Sequence, residues 1–143
     1  MYYVSRLLVF LWVMVLVLSC KSNETKAIDC IDQVIKLDDS LGKKRNFDCV
    51  ELSLSKTIIN YTDVINSIDF STCPDEFTTA FKSHIEAWKN MIEVTDNHDT
   101  LRGEMHDLFD SIEHTKDSLQ FKIYLNAIWS TWADVEKAME FNR

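Results

Sequence analysis

The sequence predicts an all-α protein: an up-and-down antiparallel four-helix bundle with a short extra helical segment before the last helix. Three observations point there. The 143 residues include one proline and two glycines, far fewer turn-formers than a sheet-rich domain needs. Apolar residues recur in alternating steps of three and four along most of the chain, the period of a helix with one buried face. The interruptions are short, and short connections make consecutive helices antiparallel neighbours.

The elements follow in order. A first helix is expected over about 25–39, with Ile28, Ile31, Val34 and Ile35 on one face. Asp38-Asp39-Ser40-Leu41-Gly42 should break it, Gly42 acting as the turn residue. A second helix is expected over about 45–69, on the stripe Val50, Leu54, Ile58, Tyr61, Ile65 and Ile68. "FSTCPDEF" then ends one helix and begins the next. Pro74 suits a first helical position, and Asp75 and Glu76 suit the positive end of the helix dipole. The third helix, about 74–95, repeats the steps with Phe77, Phe81, His84, Trp88 and Met91. "TDNHDT" reads as a loop. Leu101, Met105, Leu108 and Ile112 make a shorter stripe around Gly103. A slip in register places a break near His114 to Asp117, where Asp117 can cap a new helix with Gln120 three residues on. The last helix has the cleanest heptad: Phe121, Leu125, Ile128, Trp132, Val135 and Met139.

The beginning of the chain reads differently. Leu7 to Leu18 is an unbroken apolar run preceded by Arg6. It is shorter than the ~20 residues of a membrane span and fits the apolar region of a secretory signal. At its end, Val17-Leu18-Ser19-Cys20 resembles the lipobox of bacterial lipoproteins. That resemblance implies cleavage before Cys20, a diacylglycerol thioether on its sulfur and an acyl chain on the new amine. Several acyl chains anchor firmly, at about 0.8 kcal/mol per buried methylene. The rival readings are an uncleaved anchor helix and a plain secretory signal. Lys21, not aspartate, follows the cysteine, which by the enteric sorting rule implies the outer membrane, on its periplasmic face or at the surface. The expected organisation is a signal peptide 1–19, a tether 20–26 and a helical domain 27–143. As a flexible coil the tether would reach about 15 Å. The stretches "CPDEFTTAFKSHIEAWKNM" and "IWSTWADVEKAM" also resemble small uncharacterised helical lipoproteins of Gram-negative bacteria, a likeness that carries over no catalytic or binding residue.

Charge bounds the partners. The formal net charge is −8, and Arg6 is the one charge in residues 1–19, so the mature chain is more acidic still. With no Lys/Arg cluster beyond Lys43-Lys44-Arg45, nucleic acid is not an expected partner. The membrane is reached through the lipid on Cys20, and a basic protein partner is electrostatically welcome. Cys30, Cys49 and Cys73 remain in the mature part, and export permits a disulfide. In an antiparallel helix pair the start of one lies beside the end of the other, so Cys30 with Cys73 is the expected bridge. Cys49 is then left reduced and buried; its own pairing with Cys73 is the rival.

Sites of chemistry are few. His106, Asp110 and His114 stand at i, i+4 and i+8 in "HDLFDSIEH", one helix face and a geometry metals accept. The break expected near His114 works against it, and a solvated polar face is the ordinary reading. His84 lies on the apolar stripe, where a histidine is either a hydrogen-bonded core residue or a ligand or proton carrier. Phe77, Phe81, Trp88, Trp129 and Trp132 either fill the core or line a pocket. Trp129 sits one residue off its stripe, which makes it the candidate contact surface. No nucleophile arrangement, zinc spacing or phosphate loop appears, so neither catalysis nor a cofactor is expected. Asn60-Tyr61-Thr62 matches a glycosylation sequon that has no meaning in a bacterial lipoprotein. The expectation is a membrane-tethered binding protein of the cell envelope, acting on another protein as an inhibitor or immunity-type factor. The alternative is a small-ligand or metal-binding bundle using His84 or the His106/Asp110/His114 face.

Overall fold

A computed structural model describes the backbone of residues 2–141 and the side chains of residues 24–141. The expected signal peptide and the expected lipidation site, Cys20, lie outside the described side chains. Among the described residues the protein is all-helical, with five α-helices, one 3-10 turn and no strand. Among residues 24–141 no helix is long and apolar enough to cross a membrane.

The first helix, α1, spans Tyr2–Asp48. The expected break at Gly42 does not occur. One glycine costs a helix interior only about 1 kcal/mol, and two ion pairs at i, i+4 bracket the site: Lys43 with Asp39 at 2.6 Å and Lys44 with Asp48 at 2.7 Å. Glu24 to Lys26, the end of the stretch read as tether, already belong to this helix.

The second helix is correspondingly shorter than expected. α2 spans Leu54–Ile65. Its N-cap is Ser53, whose Oγ accepts from the Lys56 backbone N–H at 3.4 Å. Val50, expected on its apolar stripe, sits in the preceding turn and is 60% exposed. Leu54, Ile58, Tyr61 and Ile65 are buried as the period requires.

α3 spans Asp75–Thr95, with Pro74 as its N-cap rather than its first helical residue. Phe77, Phe81, His84, Trp88 and Met91 are all buried. The "TDNHDT" segment forms a 3-10 turn over Asp96–His98. α4 spans Met105–Glu113 and α5 spans Ser118–Phe141, so the expected break between them is present. The Asp117 carbonyl accepts from the Phe121 N–H, while its carboxylate meets His98 Nε2 at 3.1 Å and so ties α5 to the turn after α3.

Two clips position α4. The Gly103 N–H donates to the Cys49 carbonyl at 3.0 Å, and Arg102 Nε donates to the Glu51 carbonyl at 3.1 Å. Gly103 has φ +143°, a conformation that favours glycine. α3 is the central helix, flanked by α2 and α5; α1 packs on α2 and α4 on α5. Phe77, Phe81, Phe121, Ile58 and Ile112 fill the middle. Cys30 and Cys73 are bridged, joining α1 to the connection between α2 and α3. Cys49 is free and buried, donating to the Arg45 carbonyl at 3.2 Å.

Candidate functional site

α1 and α5 make at most glancing contact with each other. Between them lies a cleft of about 240 Å³. Its floor is Tyr61 of α2 with His84 and Trp88 of α3. α1 contributes Asp38, Gly42 and Arg45, α4 contributes Met105, His106 and Phe109, and α5 contributes Leu125, Ile128, Trp129 and Trp132.

The period of α1 explains its contribution. The buried stripe of Ile31 and Val34 continues in steps of four and three through Asp38, Leu41 and Arg45. An unbroken helix therefore delivers one carboxyl and one guanidinium to its inner face. Arg45 lies with its guanidinium carbon 3.7 Å from the centroid of the Trp88 ring and 4.8 Å from that of Tyr61. Both are cation–π distances. Among the described residues no carboxylate lies within ion-pair reach of it. Its Nε is buried without a hydrogen-bond partner, and its Nη2 meets only Asn46 Oδ1, at a long 3.5 Å. Burial pulls its pKa below the ordinary guanidinium value, against the opposing pull of Tyr61 and Asp38.

The nearby carboxyl is otherwise engaged. The Tyr61 hydroxyl donates to Asp38 Oδ1 at 2.5 Å. Burial raises the Asp38 pKa, and this hydrogen bond and Arg45 moderate the rise. The Tyr61 phenol is pushed well above its usual range by burial and then by the Asp38 charge.

His84 is held in one state. Trp88 Nε1 donates to its Nε2 at 3.1 Å, so the ring proton is on Nδ1, which reaches Thr131 Oγ1 at 3.0 Å. The Thr131 hydroxyl in turn donates to the Ala127 carbonyl at 2.8 Å. Burial, and then the Arg45 charge, lower the His84 pKa to about 4. The imidazole is neutral at pH 7 with both nitrogens committed. It is a wall of the cleft rather than an open ligand.

The other candidates fall as follows. Trp129 stands at the rim, 63% exposed. Trp132 lies against His84, centroids 5.2 Å apart, and donates to Glu136 at 3.0 Å. Phe77 and Phe81 are core, their rings tilted together at 5.6 Å; neither lines the cleft, and Phe81 backs its floor, edge-on to His84 at 6.3 Å. His106 is exposed at the mouth with Nδ1 3.1 Å from Glu104 Oε1. That hydrogen bond, then the Glu104 charge, raise its pKa. His114 caps the end of α4 and turns its Nδ1 onto the Asp110 backbone carbonyl at 2.6 Å. The His106, Asp110 and His114 side chains are thus not brought together, and no group of three or more His, Cys, Asp or Glu among the described residues could hold a metal ion.

Comparison of the chain with protein-family models, with curated proteins and with solved structures finds no match in any of the three.

Sequence reasoning found Trp129, Trp88 and His84 but missed Asp38, Arg45 and Tyr61 as one cluster. The signal was present: the four-and-three steps of α1 run on through 38, 41 and 45 once the helix is not ended at Gly42.

Proposed function

We propose that this protein is a lipid-anchored, non-enzymatic binding protein of the cell envelope whose ligand enters the cleft between α1 and α5. In this reading the domain is an up-and-down four-helix bundle with α4 as the extra segment before the last helix. The anchor is Cys20, and Lys21 directs it to the outer membrane. The observation that carries the binding site is the Arg45 guanidinium, lying over Trp88 and Tyr61 at the edge of an aromatic cleft with no carboxylate among the described residues within ion-pair distance. Apolar walls with a few convergent polar groups are the usual form of a small-ligand site. Binding rather than catalysis is supported by the commitment of the cleft's other polar groups. His84 spends both nitrogens within the fold, and the Tyr61 hydroxyl holds Asp38.

A protein partner is the second reading, favoured by one observation: Trp129 is 63% exposed at the rim of the cleft, and tryptophan beside a pocket is the composition of an interface hot spot. A partner whose surface around the cleft is basic would complement the acidic chain.

Native mass spectrometry of the full chain from its membranes tests both, beside Cys20→Ser and Trp129→Ala. The expected result is an acylated amino-terminal peptide beginning at Cys20 and a small bound mass that Trp129→Ala removes. A protein partner that Trp129→Ala releases supports the second reading instead. An unmodified Cys20 sinks the anchor, and an empty cleft in the wild type sinks the binding site.

A further inference from the structure

Resting on the cleft reading above, we infer that its ligand is a small organic carboxylate, with the carboxylate on the Arg45 guanidinium and a flat apolar body against Trp129 and Trp132.

The sign of the charge comes from what already occupies the aromatic faces. A cleft lined with tryptophan and tyrosine in an acidic protein would ordinarily suit a cation. Here Arg45 already lies over Trp88 and Tyr61. A second cation would meet the guanidinium across a few ångströms of low dielectric, where like charges repel strongly.

The need for an anion comes from the guanidinium itself. A partly buried charge is costly unless paired and hydrogen-bonded. Arg45 has a buried, partnerless Nε and a long contact to Asn46. The carboxyl best placed to neutralise it, Asp38, bonds instead to the Tyr61 hydroxyl and stays beyond ion-pair distance. Tyr61 thus acts as a positioning residue that keeps the guanidinium available. The remaining charges near the mouth are accounted for: His106 pairs with Glu104.

The class of anion follows from geometry and charge balance. A planar guanidinium fork matches the two oxygens of a carboxylate. One guanidinium beside a carboxyl leaves a phosphate dianion undercompensated. The cleft's 240 Å³ is the room of about eight liquid waters at roughly 30 Å³ each, enough for a fused two-ring acid. The net charge of −8 opposes an incoming anion only weakly, since distant charges are screened over about 8 Å at physiological salt.

The test is isothermal titration of the full-length protein in lipid nanodiscs, with empty nanodiscs subtracted. The probes are 1-naphthoate, 1-naphthamide, 1-naphthylmethylamine and 1-naphthyl phosphate. The expected result is naphthoate binding at least tenfold tighter than the isosteric amide, with the amine weakest. Arg45→Met, which keeps the length and apolar stem, should erase the acid-over-amide preference while retaining amide binding; circular dichroism checks its fold. Should Arg45→Met fail to fold, Tyr61→Phe frees Asp38 to neutralise Arg45 and should lower naphthoate affinity at least threefold with amide binding unchanged. Equal affinity for acid and amide, lost together in Trp129→Ala, overturns the carboxylate while leaving the cleft as a binding site. Tighter binding of the phosphate overturns the carboxylate assignment in its favour. No binding of any probe at millimolar concentration overturns both readings.

Discussion

Removing the Cys30–Cys73 bridge should destabilise the protein by about 4 kcal/mol. The two cysteines are 43 residues apart in sequence. A cross-link closing a loop of that length removes about 13 cal/mol/K from the unfolded chain, which is about 4 kcal/mol at 25 °C. Typical domains have only about 5–15 kcal/mol in all, so the bridge is a large share of what holds α1 to the rest. The position makes the same point: α1 packs chiefly on α2, and Cys30 fastens it at the end opposite the Gly103 and Arg102 clips. The perturbation is Cys30→Ala with Cys73→Ala, read by urea denaturation of the full chain against the oxidised wild type. At about 4 °C per kcal/mol for a domain of this size, a melting experiment should show a drop of roughly 15 °C. Cys49→Ala is the control: it deletes a buried sulfur without opening a loop and should cost about 1–2 kcal/mol. A loss below about 1 kcal/mol in the double variant, with the wild type shown to be oxidised, would refute the loop argument. A mapped peptide joining Cys49 to Cys73 would refute the pairing.

The other predictions concern the cleft wall and one connection. His84 has a folded pKa of about 4 against 6.5 unfolded, so the folded state binds the proton less well than the unfolded one. Its contribution is intact above pH 6.5 and is lost as the pH falls from 6.5 to about 4, by about 3 kcal/mol at most. His84→Gln, which can still accept from Trp88, should show a flatter fall in stability over that window; an unchanged slope would mean the imidazole is protonated in place. Gly103→Ala should cost about 1–3 kcal/mol from its φ of +143° alone, because an added Cβ would meet only Leu108 Cδ2 at an ordinary 3.8 Å. An unchanged denaturation midpoint would show that the connection relaxes freely. Phe81→Ala, at a fully buried site in α3, should cost about 3–5 kcal/mol, whereas Trp129→Ala, 63% exposed, should move stability by less than about 1 kcal/mol. A large loss at Trp129 would make that ring structural rather than part of a binding rim.

Much of the candidate site was legible residue by residue, though not as a site. Trp129 could be read as exposed because it stands one position off the stripe of α5. His84 could be read as a hydrogen-bonded core histidine because it stands on the stripe of α3. Arg45 stayed hidden behind the assumption that Asp38 to Gly42 ends the first helix. That assumption weighed local turn chemistry and omitted the Asp39–Lys43 and Lys44–Asp48 pairs and the packing of α1 on α2, which together outweigh one glycine. The start of α2 moved with it, from about 45 to Leu54, and Val50 fell out of the apolar stripe into the turn.

What the sequence alone determined is what periodicity and chain adjacency can carry. The all-helical class, the extent of α3 to within a residue, the stripes of α3 and α5 and the break before α5 all follow from spacings of three and four. Antiparallel adjacency favoured the Cys30–Cys73 bridge but left a Cys49 pairing open until the structure placed Cys30 on Cys73. What only the tertiary structure decided is where α1 stops and what its inner face meets. Arg45 and Trp88 are 43 positions apart and touch because α1 and α3 both lie against α2. The cleft exists because α1 and α5 fail to close on each other. No local pattern encodes a gap between two helices. It arises from the lengths and directions of all the elements packed around it, and from the free energy of a guanidinium held on two aromatic rings.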